Sequence, residues 1–502
     1  MMPDGKPDPR YRAAGTRFRQ ATLGYAYNTA YPYQVDSQVF ATGEWDISEF
    51  ALFFPAFYNA PNGLMHEIAT TAAMRIEGIS FLIDGSWQTA TIAAGDEIVG
   101  PRIDGAGKWV RLSGVTLPAN TLIEMRKAFQ FTREGTIPRD PAAASGESGR
   151  GGAASMASYL TTGSLNNTNS NAWRAAGMIA KGGDGRPSVV VVGDSIGAGA
   201  DQYTSSAYHS PRAEFGYVAL GLDENTDTKR ISSLNLCVPG QNPEAYANRE
   251  AISKKLEMLA KAKALNGGVS PVDEIICQHG TNSINGSITT PALLGYLRGT
   301  IGNIRSVVGE TVPATQIEMI AYPGSTDGYA TVENQFHPSP QNVYPNGVRW
   351  QANAAIGGPD GLGDASAPLR ADGTIQHSIA PWRYGSADTG NGRDKLKVLP
   401  FASTLAAEYA SGSTVSLVNE PAVGDYLSFG APGGSYHYAI VRAVSGSGPY
   451  TCDVVWQGGR TAKPAGTVVR ATMHGGGLHP GPLAHVMYAQ AILDYKRQRG
   501  WV

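Results

Sequence analysis

Cysteine is almost missing from this chain: Cys237, Cys277 and Cys452 are the only three in 502 residues. None stands in C-x-x-C spacing, so neither a disulfide framework nor a zinc site is expected. Cys237 and Cys277 each lie inside an apolar run, where a free cysteine is an ordinary small core residue. Charge is scarce too. Charged residues make up 16% of the chain and the formal net charge is -2, which removes the electrostatic case for a nucleic-acid partner. No apolar run is long enough to span a bilayer, so membrane insertion is not expected. The opening ten residues, Met1 to Arg10, are polar and do not read as a signal peptide.

Glycine, proline and tyrosine are plentiful instead, at 62, 31 and 23 residues. That composition favours β-rich folding with long connections, and the length allows two to four domains. Residues 1–15 read as a disordered tail. From 16 to 134, short strand-like runs such as Met74 to Ile83 and Lys108 to Leu112 alternate with turn signals, which predicts an N-terminal β-sandwich. The aromatics of Tyr25 to Tyr27, Tyr31 to Tyr33 and Phe53 to Tyr58 could pack in that sandwich or offer a face to sugar rings, packing being the commoner role. Residues 135–185 lack apolar periodicity and read as a linker.

Strand and helix patterns alternate from Arg186 to about residue 325, which predicts a parallel sheet flanked by helices. Its strands are Val189 to Val192, Ser233 to Val238, Glu274 to Gln278 and Gln316 to Ala321. One long helix is expected from Asn242 to about Leu265. The stretch 326–471 breaks the pattern. It reads as an insertion, irregular at first and then a small β-barrel at about 411–471. The α/β pattern resumes at 472–502 with a last helix over 480–499.

The chemistry is expected at the carboxyl ends of these strands. The β-branched run Val189 to Val192 ends in Gly193-Asp-Ser-Ile-Gly197, a G-x-S-x-G turn that makes Ser195 a nucleophile candidate. Gly240 follows the second strand, Gly280-Thr-Asn-Ser283 the third, and His479 stands just before the last helix. Four such blocks in this order resemble the SGNH (GDSL-type) hydrolase family, over about a third of the chain. The resemblance implies a three-layer α/β hydrolase domain at 186–325 and 472–502. It implies Ser195 as nucleophile, His479 as general base, and an oxyanion hole of Ser195, Gly240 and Asn282. It also implies a serine esterase working through an acyl-enzyme, with no cofactor and no metal. An α/β-hydrolase would need several strands before its nucleophile, and here Ser195 follows the first.

Two positions depart from the family pattern. Ser283 stands where an Asp usually follows the Asn. Gly476 stands where an Asp usually precedes the histidine by three residues. Either a backbone carbonyl of the Gly475 to Gly477 turn or a carboxylate from elsewhere in the chain could orient His479; the carbonyl is favoured because it needs only local chain, and it would give a Ser–His dyad. His474 and His279 are the other histidines weighed, His279 as a packing or supporting residue. The accessory β regions, the many aromatics and the lack of a greasy lid helix point to an acylated carbohydrate, O-acetyl above all, as the substrate. Trp350, Trp382 and Tyr384 are the candidates to stack on sugar or to pack within the insertion. A lipase or thioesterase, or a non-catalytic glycan-binding adhesin or virion protein, are the alternatives. An extracellular, virion or cell-surface setting fits the substrate, and an oligomer is possible on this sequence.

Overall fold

The computed structural model describes residues 8–501 apart from 19, 21–22, 27–30, 61–65, 140–148, 166–172, 200–215, 225–228, 328, 338, 344, 388–395, 397, 424, 431–436, 458–460 and 474–479. The chain is mixed α/β, with one parallel sheet and several antiparallel ones.

Two antiparallel sheets face each other in the N-terminal region. The five-stranded one runs, in spatial order, Arg12–Ala13, Met178–Ala180, Phe50–Pro55, Gly107–Ser113 and Thr91–Ile92. The other is built on Ala73–Ile83, Leu122–Arg133 and Tyr33–Thr42. Period-two alternation shows in the strand Phe50–Pro55, because successive side chains point to opposite faces. Phe50, Leu52 and Phe54 enter the core between the sheets. Ala51 and Phe53 turn the other way, into a core shared with the α/β region. The aromatics Phe53, Phe54 and Phe57 are thus packing groups, each at most 1% exposed.

Two expectations about the flanks change. Arg12–Ala13, inside the expected tail, pairs with Met178–Ala180. Inside the expected linker, Thr136–Arg139 pairs with Leu23–Ala26 and Gly149–Gly152 with Tyr33–Thr42. Trp173 is fully buried and donates its indole N–H to the Pro55 carbonyl at 2.7 Å. Backbone ladders hold these segments, and strands this short, Gly-rich in the case of Gly149–Gly152, carry no apolar alternation to announce them.

The parallel sheet contains β1 (Val189–Val192), β2 (Ser233–Asn235), β3 (Glu274–Cys277), β4 (Ala314–Ile317) and β5 (His377–Ile379), in the spatial order β2-β1-β3-β4-β5. Seven helices matter to it: α1 (Gly216–Asp223), α2 (Pro243–Ala247), α3 (Ser253–Leu265), α4 (Thr281–Asn285), α5 (Thr290–Val308), α6 (Val348–Gly357) and α7 (Pro482–Gln498). Val190, Val192, Ile275 and Cys277 pack with α3, α5 and α6. Val189, Val191, Ile276 and Ile317 pack with α1 and α7. Both faces are covered, which is why the β1 run is apolar without alternation.

The long helix expected from 242 to 265 is two helices. Asn242 caps α2 by accepting the Ala245 N–H at 2.9 Å, and Asn248 ends it in extended backbone. The hairpin of Phe57–Asn59 and Glu67–Ala69 docks at the break. The Glu67 N–H bonds to the Ala251 carbonyl at 3.1 Å. Its carboxylate accepts the N–H groups of Lys254 and Lys255 at the start of α3, at 2.5 and 3.1 Å.

The stretch 326–471 is not one insertion. Its first half supplies α6 and the fifth strand of the parallel sheet, β5. The barrel starts earlier than expected and has six strands, in the order Ala402–Thr404, Val468–Ala471, Tyr426–Phe429, His437–Ser445, Tyr450–Gln457, Thr414–Leu417. Leu405 bridges Leu417, so the last strand meets the first. No helix among the described residues is long and apolar enough to cross a membrane.

Candidate functional site

Sheet order decides what can meet. β1 lies between β2 and β3, so the Ser195 turn is flanked by the Gly240 turn on one side and the Asn282 helix on the other. Ser195 is 3% exposed. Its turn is held by local bonds: the Asp194 carboxylate accepts the Ile196 N–H at 2.9 Å, and the Asp194 carbonyl accepts the Ala198 N–H at 3.0 Å.

A residue that the sequence reading passed over holds the turn from outside. Gln278, just past β3, accepts the N–H of Asp194 at 3.1 Å and that of Gly197 at 3.0 Å through one oxygen. The glycines of G-x-S-x-G are explained by this contact. A Cβ on Gly193 would lie 2.6 Å from the Gln278 amide oxygen and 2.9 Å from Cys237 Sγ. On Gly197 the same two atoms would be at 2.8 and 2.7 Å. The signal in the sequence was a polar residue ending a buried strand beside a glycine turn.

Pro239 and Gly240 are the central residues of a tight turn closed by the Gln241 N–H to the Val238 carbonyl at 3.1 Å. Gly240 has φ +80°, the value that the third position of a type II turn requires, and glycine takes it without strain. The Val238 N–H bonds back to the Gly193 carbonyl at 3.1 Å, tying this turn to the end of β1. Asn282, half-buried in the first turn of α4, donates its side-chain N–H to the Gln241 carbonyl at 2.8 Å. The structure therefore brings Gly240 and Asn282 together. Gly240 and its neighbour Pro239 are exposed.

His279 is fully buried, its ring 4.5 Å from that of Tyr246. Burial pushes its pKa down to about 3, with a smaller push from Lys255, so it stays neutral and packs. Cys237 and Cys277 are buried free thiols, and burial raises the pKa of both. Neither is a nucleophile candidate.

His479, His474 and Gly476 lie outside the described residues. The two ends of their loop are joined, the Gly481 N–H bonding to the Met473 carbonyl at 2.8 Å. α7 follows at once, and His485, another residue passed over, anchors it. Its Nδ1 accepts the Tyr217 N–H at 3.1 Å at the start of α1. Gly216, one residue earlier, abuts the Ile196 and Gly197 carbonyls of the Ser195 turn.

The three aromatics singled out for sugar stacking are placed as packing groups. Trp350 and Trp382 are 5% and 6% exposed, with ring centres 5.1 Å apart and edge to face. Trp382 donates its indole N–H to Glu318 at 2.6 Å. Tyr384 is half-buried and donates its hydroxyl to Asp494 of α7. β5 and α6 draw this stretch into the sheet, and the aromatics go with it.

No protein-family model matches this sequence, and no curated protein does. The solved structures it aligns with include carbohydrate esterases and acyltransferases. An active-site mutant of a family two carbohydrate esterase from Clostridium thermocellum aligns over 97% of this chain and 98% of its own, at 9% identity and TM-score 0.31. A carbohydrate acetylesterase from Xanthomonas citri aligns over 80% and 89%, at 12% identity and TM-score 0.24. A salicylyl-acyltransferase of a tetracycline biosynthetic pathway aligns over 95% and 98%, at 10% identity and TM-score 0.29.

Proposed function

We propose that this chain is an SGNH-type serine esterase that removes acyl groups, O-acetyl above all, from a carbohydrate. One observation carries the reading. The Ser195 turn sits at the carboxyl end of the strand between two others, and the turns after those two, bearing Gly240 and Asn282, are joined by the 2.8 Å bond from Asn282 to Gln241.

Ser195 Oγ attacks the ester carbonyl carbon, and His479 takes its proton. The oxyanion that forms is held by the backbone N–H groups of Ser195 and Gly240 and by the Asn282 amide. Each donor of this kind is typically worth about 3 kcal/mol at the transition state. The intermediate collapses, the sugar alkoxide leaves with the proton from His479, and water then hydrolyses the acyl-enzyme by the same steps. Asn282 has a second amide hydrogen beyond the one given to Gln241, and that one serves the oxyanion. The third member of the relay is a backbone carbonyl beside His479, in keeping with Gly476 at the position of the usual acid.

The test is acetate release from a panel of acetylated polysaccharides, with an aryl acetate alongside. Ser195→Ala is expected to abolish turnover of both while the protein stays folded. Asn282→Ala is expected to lower kcat by about 10²–10³ with KM little changed. Normal turnover by a clean Ser195→Ala preparation overturns the proposal.

A further inference from the structure

We infer that a groove between the N-terminal sandwich and the hydrolase region binds an uncharged sugar chain beside the proposed oxyanion turn. The cavity has a volume of about 610 Å³ and is lined by His66 of the docked hairpin, by Asn242, Glu244, Asn248 and Glu250 around α2, and by Tyr296 of α5. That volume falls within the range of small-ligand sites. Asn242 is two residues beyond Gly240, which sets one end of the groove next to the proposed oxyanion turn. The inference rests on the esterase reading for that placement.

The lining selects the ligand. Glu244, Asn248 and Glu250 are exposed, and Tyr296 and His66 are half-buried. Carboxylates, an amide and an imidazole suit sugar hydroxyls, and a tyrosine face suits the C–H face of a sugar ring. No lysine or arginine is among the described lining residues. Glu244 and Glu250 therefore repel a uronate and admit a neutral chain.

The walls are built to hold their spacing. Glu67, beside His66, is fixed by its backbone bond to Ala251 in the turn before α3 and by two N–H groups from Lys254 and Lys255 at the start of α3. The same carboxylate pairs with the Lys255 ammonium at 2.9 Å, both side chains 1% exposed or less. A groove preformed between two packed bodies loses little freedom on binding.

The experiment is calorimetric titration of the full-length Ser195→Ala protein with xylohexaose, cellohexaose and hexagalacturonate. At least one neutral hexasaccharide is expected to bind and hexagalacturonate is not. Adding Tyr296→Ala should weaken the neutral ligand about tenfold. Adding Glu244→Lys with Glu250→Lys, both at exposed positions, should let hexagalacturonate bind. The inference is overturned if no neutral hexasaccharide binds, if hexagalacturonate binds best, or if neither set of changes alters binding. Loss of the esterase reading looks different: aryl acetate turnover is absent from the unaltered protein, or survives Ser195→Ala.

Discussion

Gln278 shows how one side chain supports a turn it does not belong to. Its amide oxygen is the acceptor for two buried backbone N–H groups, those of Asp194 and Gly197. Gln278→Met keeps the length and removes the acceptor. Each orphaned donor costs about 1–3 kcal/mol. The variant is expected to lose stability in chemical denaturation by that order and to lose kcat on an aryl acetate, because the Ser195 turn is no longer held. Unchanged melting and unchanged kcat would remove Gln278 from any such role. Gly240→Ala acts differently. Its φ of +80° costs a Cβ-bearing residue about 1–2 kcal/mol. On the proposed reading the added methyl also stands where the substrate oxygen approaches, so kcat should fall more than stability does. Ser195, Gly240 and Asn282 stand out in the sequence as candidates because strand ends and glycine turns mark them locally. Gln278 and His485 were not, because each serves backbone groups far away in the chain, at separations of 84 and 268 residues.

Elements were legible where one periodicity ruled them. β1 stands out as an apolar run, and β3 nearly so; β2 (Ser-Leu-Asn) is shorter than the strand expected at 233–238, and β4 (Ala-Thr-Gln-Ile) begins two residues before the one expected at 316–321. β5 does not stand out, because His377-Ser-Ile379 is too short and too polar to register. The break between α2 and α3 was hidden for another reason: the local sequence is helical, and a hairpin from elsewhere interrupts it. Near β5, Glu318 follows β4 and donates its N–H to the Ile379 carbonyl at 2.8 Å, while its carboxyl takes the Trp382 indole N–H. Burial pushes its pKa up to about 8 from an ordinary 4.5. The folded protein therefore holds a proton that the unfolded chain has lost between those values. Stability from this group is full below the lower value and declines as pH rises toward the upper one. Glu318→Gln mimics the protonated acid. Melting curves at pH 5, 7 and 9 should show the variant gaining on the unaltered protein as pH rises, and parallel curves would contradict the assignment.

At the scale of the molecule, the sandwich and the parallel-sheet region share a core. Phe53 and Trp109 pack with Leu256 and Leu259, and the Trp109 indole N–H bonds to the Met258 carbonyl at 2.9 Å. The Lys255–Glu67 pair crosses the same boundary, with Asn59 also accepting from the ammonium. Burial pushes Glu67 up and Lys255 down, each toward its neutral form, while their mutual attraction opposes it. Removing one partner of such a pair costs about 3–5 kcal/mol, and removing both is far milder. Lys255→Met is therefore expected to melt early, and Lys255→Met with Glu67→Gln to recover most of the loss. Failure of the double variant to recover would mean that the pair contributes more than charge balance.

The first described strand has a further consequence. Arg12–Ala13 pairs with the strand that leads into β1, and it also reaches across to the other half. The Tyr11 N–H bonds to Asn266, the Ala13 N–H to the Pro271 carbonyl, and Arg12 pairs with Asp273. The seam between the halves is thus sewn with thread from both. Domain shuffling that cut the gene near residue 186 would carry off half the stitches and bare Phe53, Trp109 and Leu259. The two halves are therefore expected to fold, and to be exchanged in engineering, as one unit.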